Sequence, residues 1–160
     1  MPPLNFPPTA PFDVRDPGAG ERPLVLDEVR RKYVALTPEE WVRQHLVRYL
    51  RDGLGYPAGL LAVEKKIGAR GGPRRADLVA YGRAAGGEPR PVLIAECKAP
   101  AVRIAQAVFD QVSRYNTVAQ APHLVVTNGL AHYCWTVDRA AGTYRFLDQI
   151  PPYAALAQQP

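Results

Sequence analysis

One stretch constrains this chain more than any other: Pro91-Val-Leu-Ile-Ala-Glu-Cys-Lys98, a mostly apolar run that ends in two opposite charges. Bounded by a glycine-rich segment before it and Ala99-Pro100 after it, the run reads as a strand. Its lack of polar alternation places that strand inside a sheet. Side chains alternate across a strand, so Glu96 and Lys98 point to the same face. Charges at the end of an apolar strand are costly to bury unless they are paired or bound to something.

Leu60 to Ile67 and Ala76 to Tyr81 read as two preceding strands around the turn Gly68-Ala-Arg-Gly-Gly-Pro73, and Gly82 to Pro91 as a second glycine-rich turn. With Tyr81 paired to residue 92, the same register sets Asp77 directly opposite Glu96, their Cβ atoms within about 5.5 Å. Carboxylates that close repel unless a cation lies between them. Asp and Glu oxygens with open water positions suit Mg²⁺. Lys98, on the same face, is placed to orient or help deprotonate a metal-bound water, or to offset charge on a phosphorane-like transition state. The constellation reads as a site for metal-assisted phosphodiester hydrolysis. The plain alternative is a cross-strand ion pair at a sheet edge in an unrelated α+β domain.

Around these strands the pattern is helical. Thr37-Pro38-Glu39-Glu40 is a helix start, with Thr37 as N-cap, Pro38 at the first position and Glu40 closing a capping box. The helix carries Trp41, His45, Leu46, Tyr49 and Leu50 as an apolar stripe and ends at Gly53 and Gly55. Residues 101–120 return to helical spacing. Gln111 and Tyr115 lie one turn apart on the apolar stripe there, where polar groups need partners. Either they are satisfied core polars, or they reach over the sheet towards Asp77, Glu96 and Lys98. His123 to Thr127 is a strand closed by the turn dipeptide Asn128-Gly129. Leu130 to Val137 and Thr143 to Leu147 form a terminal hairpin. The order is α-β-β-β-α-β plus a C-terminal β-hairpin, an α+β fold with a mixed central sheet.

Seven of the 17 prolines fall in the first 23 residues. Residues 1–23 therefore read as an extended arm that Leu4, Phe6 and Phe12 pin to a surface. Leu24 to Val34 reads as containing a turn of helix, residues 24–150 as one domain, and 151–160 as a loose tail. With 160 residues, 47% hydrophobic and 22% charged, the chain has globular composition. It shows no apolar run that spans a bilayer and no secretory signal. Cys97 and Cys134 are too few for a disulfide framework, and Cys97 points away from Glu96 into the core. A reducing cytoplasm is the default compartment.

The net charge of +5 is not spread evenly. Residues 1–36 balance five basic against five acidic side chains, residues 37–76 hold eight against four, and residues 77–160 seven against six. The excess is densest from Lys65 to Arg75. Lys65, Lys66, Arg70, Arg74 and Arg75 are the candidate contacts for a phosphate backbone, and DNA the candidate partner.

Asp77 followed by Glu96-Cys97-Lys98 resembles the signature of the PD-(D/E)xK nuclease superfamily, and the element order is similar to its restriction-endonuclease-like core. The flanks resemble the N-terminal nuclease domain of type I restriction enzyme R subunits and its small stand-alone bacterial relatives. The matching stretches are Pro38-Glu-Glu-Trp-Val-Arg-Gln44, Val63-Glu-Lys-Lys66, Arg75-Ala-Asp-Leu-Val79, Ala95-Glu-Cys-Lys-Ala-Pro100, Gln111-x-x-x-Tyr115-Asn116 and Val126-Thr-Asn-Gly129. The resemblance implies that Asp77 and Glu96 ligate Mg²⁺, with Mn²⁺ as a substitute, helped by the Cys97 backbone carbonyl. It implies that Lys98 serves the attacking water and that Gln111 and Tyr115 position DNA or the site. Glu40 and Glu64 resemble further family positions and are secondary metal candidates, although Glu40 is also accounted for by the capping box. Ala76 stands where the superfamily's name puts proline. No G-x-x-x-x-G-K-[S/T] phosphate loop occurs, so a nuclease domain without a motor is expected, acting alone or within a restriction or repair complex. A nuclease-like module that binds nucleic acid or a partner without cutting is the alternative.

Overall fold

The computed structural model describes residues 1–67, 75–84 and 86–156. Two antiparallel strands, β4 (Leu61–Lys66) and β5 (Arg75–Arg83), lead into β6 (Pro89–Cys97). Helix α2 (Gln106–Ala119) then carries the chain to β7 (His123–Thr127), which lies parallel to β6. The hairpin β8 (His132–Asp138) and β9 (Thr143–Leu147) completes a six-stranded sheet in the order β4-β5-β6-β7-β8-β9. The apolar run of β6 thus lies inside the sheet, as its sequence demands.

Helix α1 (Pro38–Arg48) continues through a wider turn at Tyr49–Gly53. Its Val42, Leu46 and Leu50 pack with Leu78, Leu93, Ala95 and Cys97. On the other face Val108, Val112 and Tyr115 of α2 pack with Val79, Ile94, Leu124 and Val126. The sheet is therefore a layer between two helices, and strand alternation sorts its side chains between two cores.

Several local expectations are corrected. Leu24 to Val34 holds no helical turn. It is the hairpin β2 (Leu24–Asp27) and β3 (Lys32–Ala35), which with β1 (Val14–Arg15) makes a second, three-stranded sheet. The Asp27 carboxylate accepts the backbone N–H groups of Val29 (2.9 Å) and Arg30 (2.8 Å), and Arg31 sits at φ 53°, so a side-chain-braced turn replaces the helix. The capping box is half formed. Thr37 Oγ1 accepts Glu40 N–H at 3.0 Å, but the Glu40 carboxylate turns away to Gln44 and two arginines. Helix α2 begins at Gln106, leaving Ile104 outside it.

The tail is not loose as far as Leu156. A helical turn, α3 (Tyr153–Leu156), is pinned by Tyr153 against Tyr56, by buried Leu156, and by Tyr56 Oη donating to Pro151 O at 2.8 Å. The turn expected at residues 68–73 lies outside the described residues. The arm does lie on a surface. Phe6 and Phe12 pack against His45, with ring centroids 6.0 and 4.7 Å away, and Asn5 N–H donates to Gly129 O at 2.7 Å.

Candidate active site

The registers of β4, β5 and β6 converge on Asp77. Val63 pairs with Leu78 and Lys65 with Ala76, so Glu64 and Asp77 face each other between those pairs. Leu78 pairs with Ala95, so the next step along β5 and β6 sets Asp77 beside Glu96. The expected pairing of Tyr81 with residue 92 is corrected. Tyr81 pairs with Pro91, because a bulge between Ala80 and Tyr81 shifts the ladder. The shift lies above Ala80, so the register near Asp77 is untouched by it.

Asp77 is skipped by both ladders and is held by its own side chain. Its Oδ2 accepts the Cys97 backbone N–H at 2.7 Å, and its Oδ1 accepts Arg43 Nη2 at 3.3 Å. Glu96 is 3% exposed. Its Oε1 accepts Lys98 Nζ at 2.7 Å and Gln111 Nε2 at 2.6 Å, while its Oε2 is buried with no partner. Lys98 also donates to Gln111 Oε1 at 3.3 Å, and its backbone N–H to Thr127 O at 2.8 Å, which carries the β6–β7 ladder one residue past the strand. Gln111 Nε2 donates to Tyr115 Oη at 2.9 Å. Glu96, Lys98, Gln111 and Tyr115 are thus one hydrogen-bonded group at one end of the sheet, and Asp77 stands beside Glu96 by register, bonded instead to Cys97 N–H and Arg43.

The electrostatics follow from burial. Desolvation, and then the charge of Asp77, pushes the Glu96 carboxyl up to about 7. Burial raises Asp77 as well, against the pull of Arg43 and the Cys97 N–H. Burial alone would lower Lys98, but its bond to Glu96 and the charges of Glu96, Asp77 and Glu39 outweigh that and raise it, so it stays an ammonium. The Cys97 thiol is buried and raised well above its ordinary value, which removes it as a nucleophile.

Sequence reasoning missed the cations on the far side of Asp77. Arg43, 4% exposed, joins Glu40 (3.0 Å), Glu64 (3.4 Å) and Asp77 (3.3 Å), and Arg30 joins Glu40 (3.0 Å) and Glu64 (2.9 Å). The available signal was spacing. Glu40, Arg43, Gln44 and Val47 recur at i, i+3, i+4 and i+7, which places three polar side chains on the core face of α1. Of the basic candidates, Lys65, Lys66 and Arg75 are exposed at the end of β4 and the start of β5, where Lys66 pairs with Arg75. Arg70 and Arg74 lie outside the described residues.

Among the described residues, no group of three or more His, Cys, Asp and Glu side chains is arranged to hold a metal ion. Of the two carboxylates set side by side in the site, Asp77 has both oxygens hydrogen-bonded, whereas Oε2 of Glu96 is buried without a partner.

A six-stranded mixed sheet with helices on both faces is consistent with a restriction-endonuclease-like α+β core. Residues 38–151 match the family described as Type I restriction enzyme R protein N terminus, and the chain belongs to that family. No curated protein and no solved structure matches it. No helix among the described residues is long and apolar enough to cross a membrane.

Proposed function

We propose that this chain is a Mg²⁺-dependent nuclease domain that hydrolyses DNA phosphodiester bonds in a restriction context. The observation that carries it is the buried Oε2 of Glu96, left without a partner beside Asp77 and Lys98. Burial raises the proton affinity of both carboxylates even beside Lys98 and Arg43, and a divalent cation would add the positive charge that a proton otherwise supplies. Asp77 and Glu96 would hold the ion, with the Cys97 carbonyl as the third candidate donor. When bound, Mg²⁺ supplies Lewis acidity to the phosphodiester and lowers the pKa of an attacking water.

The chain's own groups do the rest. Lys98, held as an ammonium, donates to a phosphate oxygen or orients the water. It is better placed to stabilise developing charge than to act as a base. Gln111 fixes both Glu96 and Lys98, and Tyr115 fixes Gln111. Lys65, Lys66 and Arg75 hold the backbone of the bound strand.

A non-catalytic nucleic-acid- or partner-binding module has one observation in its favour. Lys98 and Arg43 already pair with Glu96 and Asp77 without a metal. Purified protein incubated with supercoiled plasmid, linear duplex and single-stranded DNA, with Mg²⁺ or Mn²⁺, separates the two readings. Metal-dependent cutting that Lys98→Ala abolishes supports the nuclease. Binding without cutting in every metal supports the module.

A further inference from the structure

We propose that the Arg43 guanidinium occupies the cation position enclosed by Glu40, Glu64 and Asp77, so that this end of the sheet takes one divalent ion and not two. The inference rests on the metal reading of Asp77 and Glu96 above, and it concerns the opposite side of Asp77.

The two sides of Asp77 differ in what their oxygens touch. On the Glu96 side one buried carboxylate oxygen has no partner. On the other side each oxygen of Glu40 and Glu64 is taken. Glu40 Oε1 accepts Gln44 (2.8 Å) and Arg30 (3.1 Å), and its Oε2 accepts Arg30 and Arg43 (3.0 Å each). Glu64 Oε1 accepts Arg43 (3.4 Å) and its Oε2 accepts Arg30 (2.9 Å). Arg43 Nη2 then reaches Asp77 Oδ1 at 3.3 Å, with Glu39 Oε1 at 3.8 Å.

The backbone is bent to make this arrangement. Glu64 sits at φ 48° inside β4, a conformation that non-glycine residues rarely adopt, directly across from Asp77. The departure coincides with a Glu64 carboxylate turned to Arg30 and Arg43. Glu40, Glu64 and Asp77, from α1, β4 and β5, therefore meet around one guanidinium, with Glu39 at its margin. As folded they are not arranged to hold a metal ion; with the guanidinium gone, their oxygen chemistry would suit a divalent one. A guanidinium cannot give up its proton to make room, and its charge repels an incoming dication. Displacing it would strand a buried cation. The arginine thus does permanently, as part of the chain, what a second ion would do from solution.

The test is to count bound Mn²⁺ on metal-free full-length protein by the paramagnetic resonance of free Mn²⁺, with thermal unfolding in parallel. Wild type should bind one ion. Arg43→Gln should bind two, and should unfold at a lower temperature without metal, with Mn²⁺ restoring it. Glu64→Gln, at an exposed residue, should still bind one ion. Two ions in wild type, or loss of the ion in Glu64→Gln, overturns the proposal. So does one ion in Arg43→Gln without thermal rescue, which would make Arg43 purely structural. If wild type binds none, the metal reading of Asp77 and Glu96 fails. Arg43→Gln then decides separately: one ion upholds the place of Arg43, and none overturns it. Should Arg43→Gln fail to fold with and without Mn²⁺, the wild-type and Glu64→Gln counts decide: one in each upholds the proposal, and any other result overturns it.

Discussion

The backbone N–H of Cys97 donates to Oδ2 of Asp77 at 2.7 Å, so β5 and β6 stay joined beyond their last paired residues by a side chain. Asp77 is therefore both a candidate ligand and a piece of the sheet. Asp77→Ala should lose metal binding and also leave a buried donor unmatched, at a cost of about 1–3 kcal/mol. Asp77→Asn keeps an acceptor for Cys97 and should lose metal binding with a smaller loss of stability. Urea unfolding in a chelator, beside a Mn²⁺ titration, separates the two effects. Equal destabilisation by both variants would show that the Cys97 bond contributes little.

Gln111 spans Glu96, Lys98 and Tyr115, so its removal should loosen two functional groups at once. Misplacement on the ångström scale can cost on the order of 100-fold in rate. Gln111→Ala should lower cleavage by about 10- to 100-fold with DNA affinity unchanged, and Tyr115→Phe by less, since Tyr115 acts only through Gln111. Single-turnover cleavage at saturating DNA measures this, and a larger loss in Tyr115→Phe would mean that tyrosine touches the substrate itself.

Lys65 and Lys66 are exposed on the edge strand β4, adjacent in sequence to Glu64. If both contact phosphates, replacing them by alanine should flatten the slope of log affinity against log salt by about 0.9 per contact. Binding isotherms at several salt concentrations test this. An unchanged slope would move the DNA to another face.

His45, packed by Phe6, Phe12 and Trp41, and His132, which contacts Thr127 and the arm carbonyl of Asn5, both titrate below the ordinary histidine value because burial disfavours their charged form. The unfolded chain binds these protons more readily, so the stability they contribute is present above about pH 6.5 and is lost as the pH falls through the folded values. Chemical unfolding at pH 7.5 and pH 5 should show a smaller acid loss in His45→Gln/His132→Gln than in wild type. Asp77 and Glu96 act with the opposite sign, which is why the comparison is between variants.

Gly129 has φ 83°, and a Cβ there would lie 2.8 Å from Leu4 and 3.0 Å from Val42. Gly129→Ala should therefore cost about 1–3 kcal/mol and loosen the arm. Faster proteolysis within residues 1–23, with the rest of the chain resistant, is the expected signature. An arm cleaved at the wild-type rate would show that the backbone bond from Asn5 to Gly129 holds it without Leu4.

Much of the candidate site was legible because it depends on local chemistry. Glu96 and Lys98 share a face by strand alternation, and they meet at 2.7 Å. Gln111 and Tyr115 share a helix face one turn apart, and both join the cluster. The neighbourhood of Asp77 and Glu96 was also legible, although through a pairing of Tyr81 that a bulge displaces. The bulge was not read, although Gly82 and Pro91, residue types that strands tolerate at bulges, stand at it.

The hairpin at Leu24 to Val34 was misread because an Asp-braced turn and a helical turn draw on the same short polar residues. Glu40 was assigned to its own helix terminus, yet its carboxylate answers to Arg30 and Arg43. No periodicity reports such a choice, because the competing partners are tied by tertiary distance.

Periodicity, capping and turn chemistry act within a few residues, and they suffice to make β6 an interior strand, to cap α1 with Thr37 and to end the strand in two charges. Tertiary structure alone decided which cations meet which carboxylates. Arg43 comes from α1, Glu64 from β4 and Asp77 from β5, and their pairing exists only once the sheet and helix are packed. Burial then sets the charge of Glu96 and leaves one of its oxygens without a partner, and burial is a property of the whole fold.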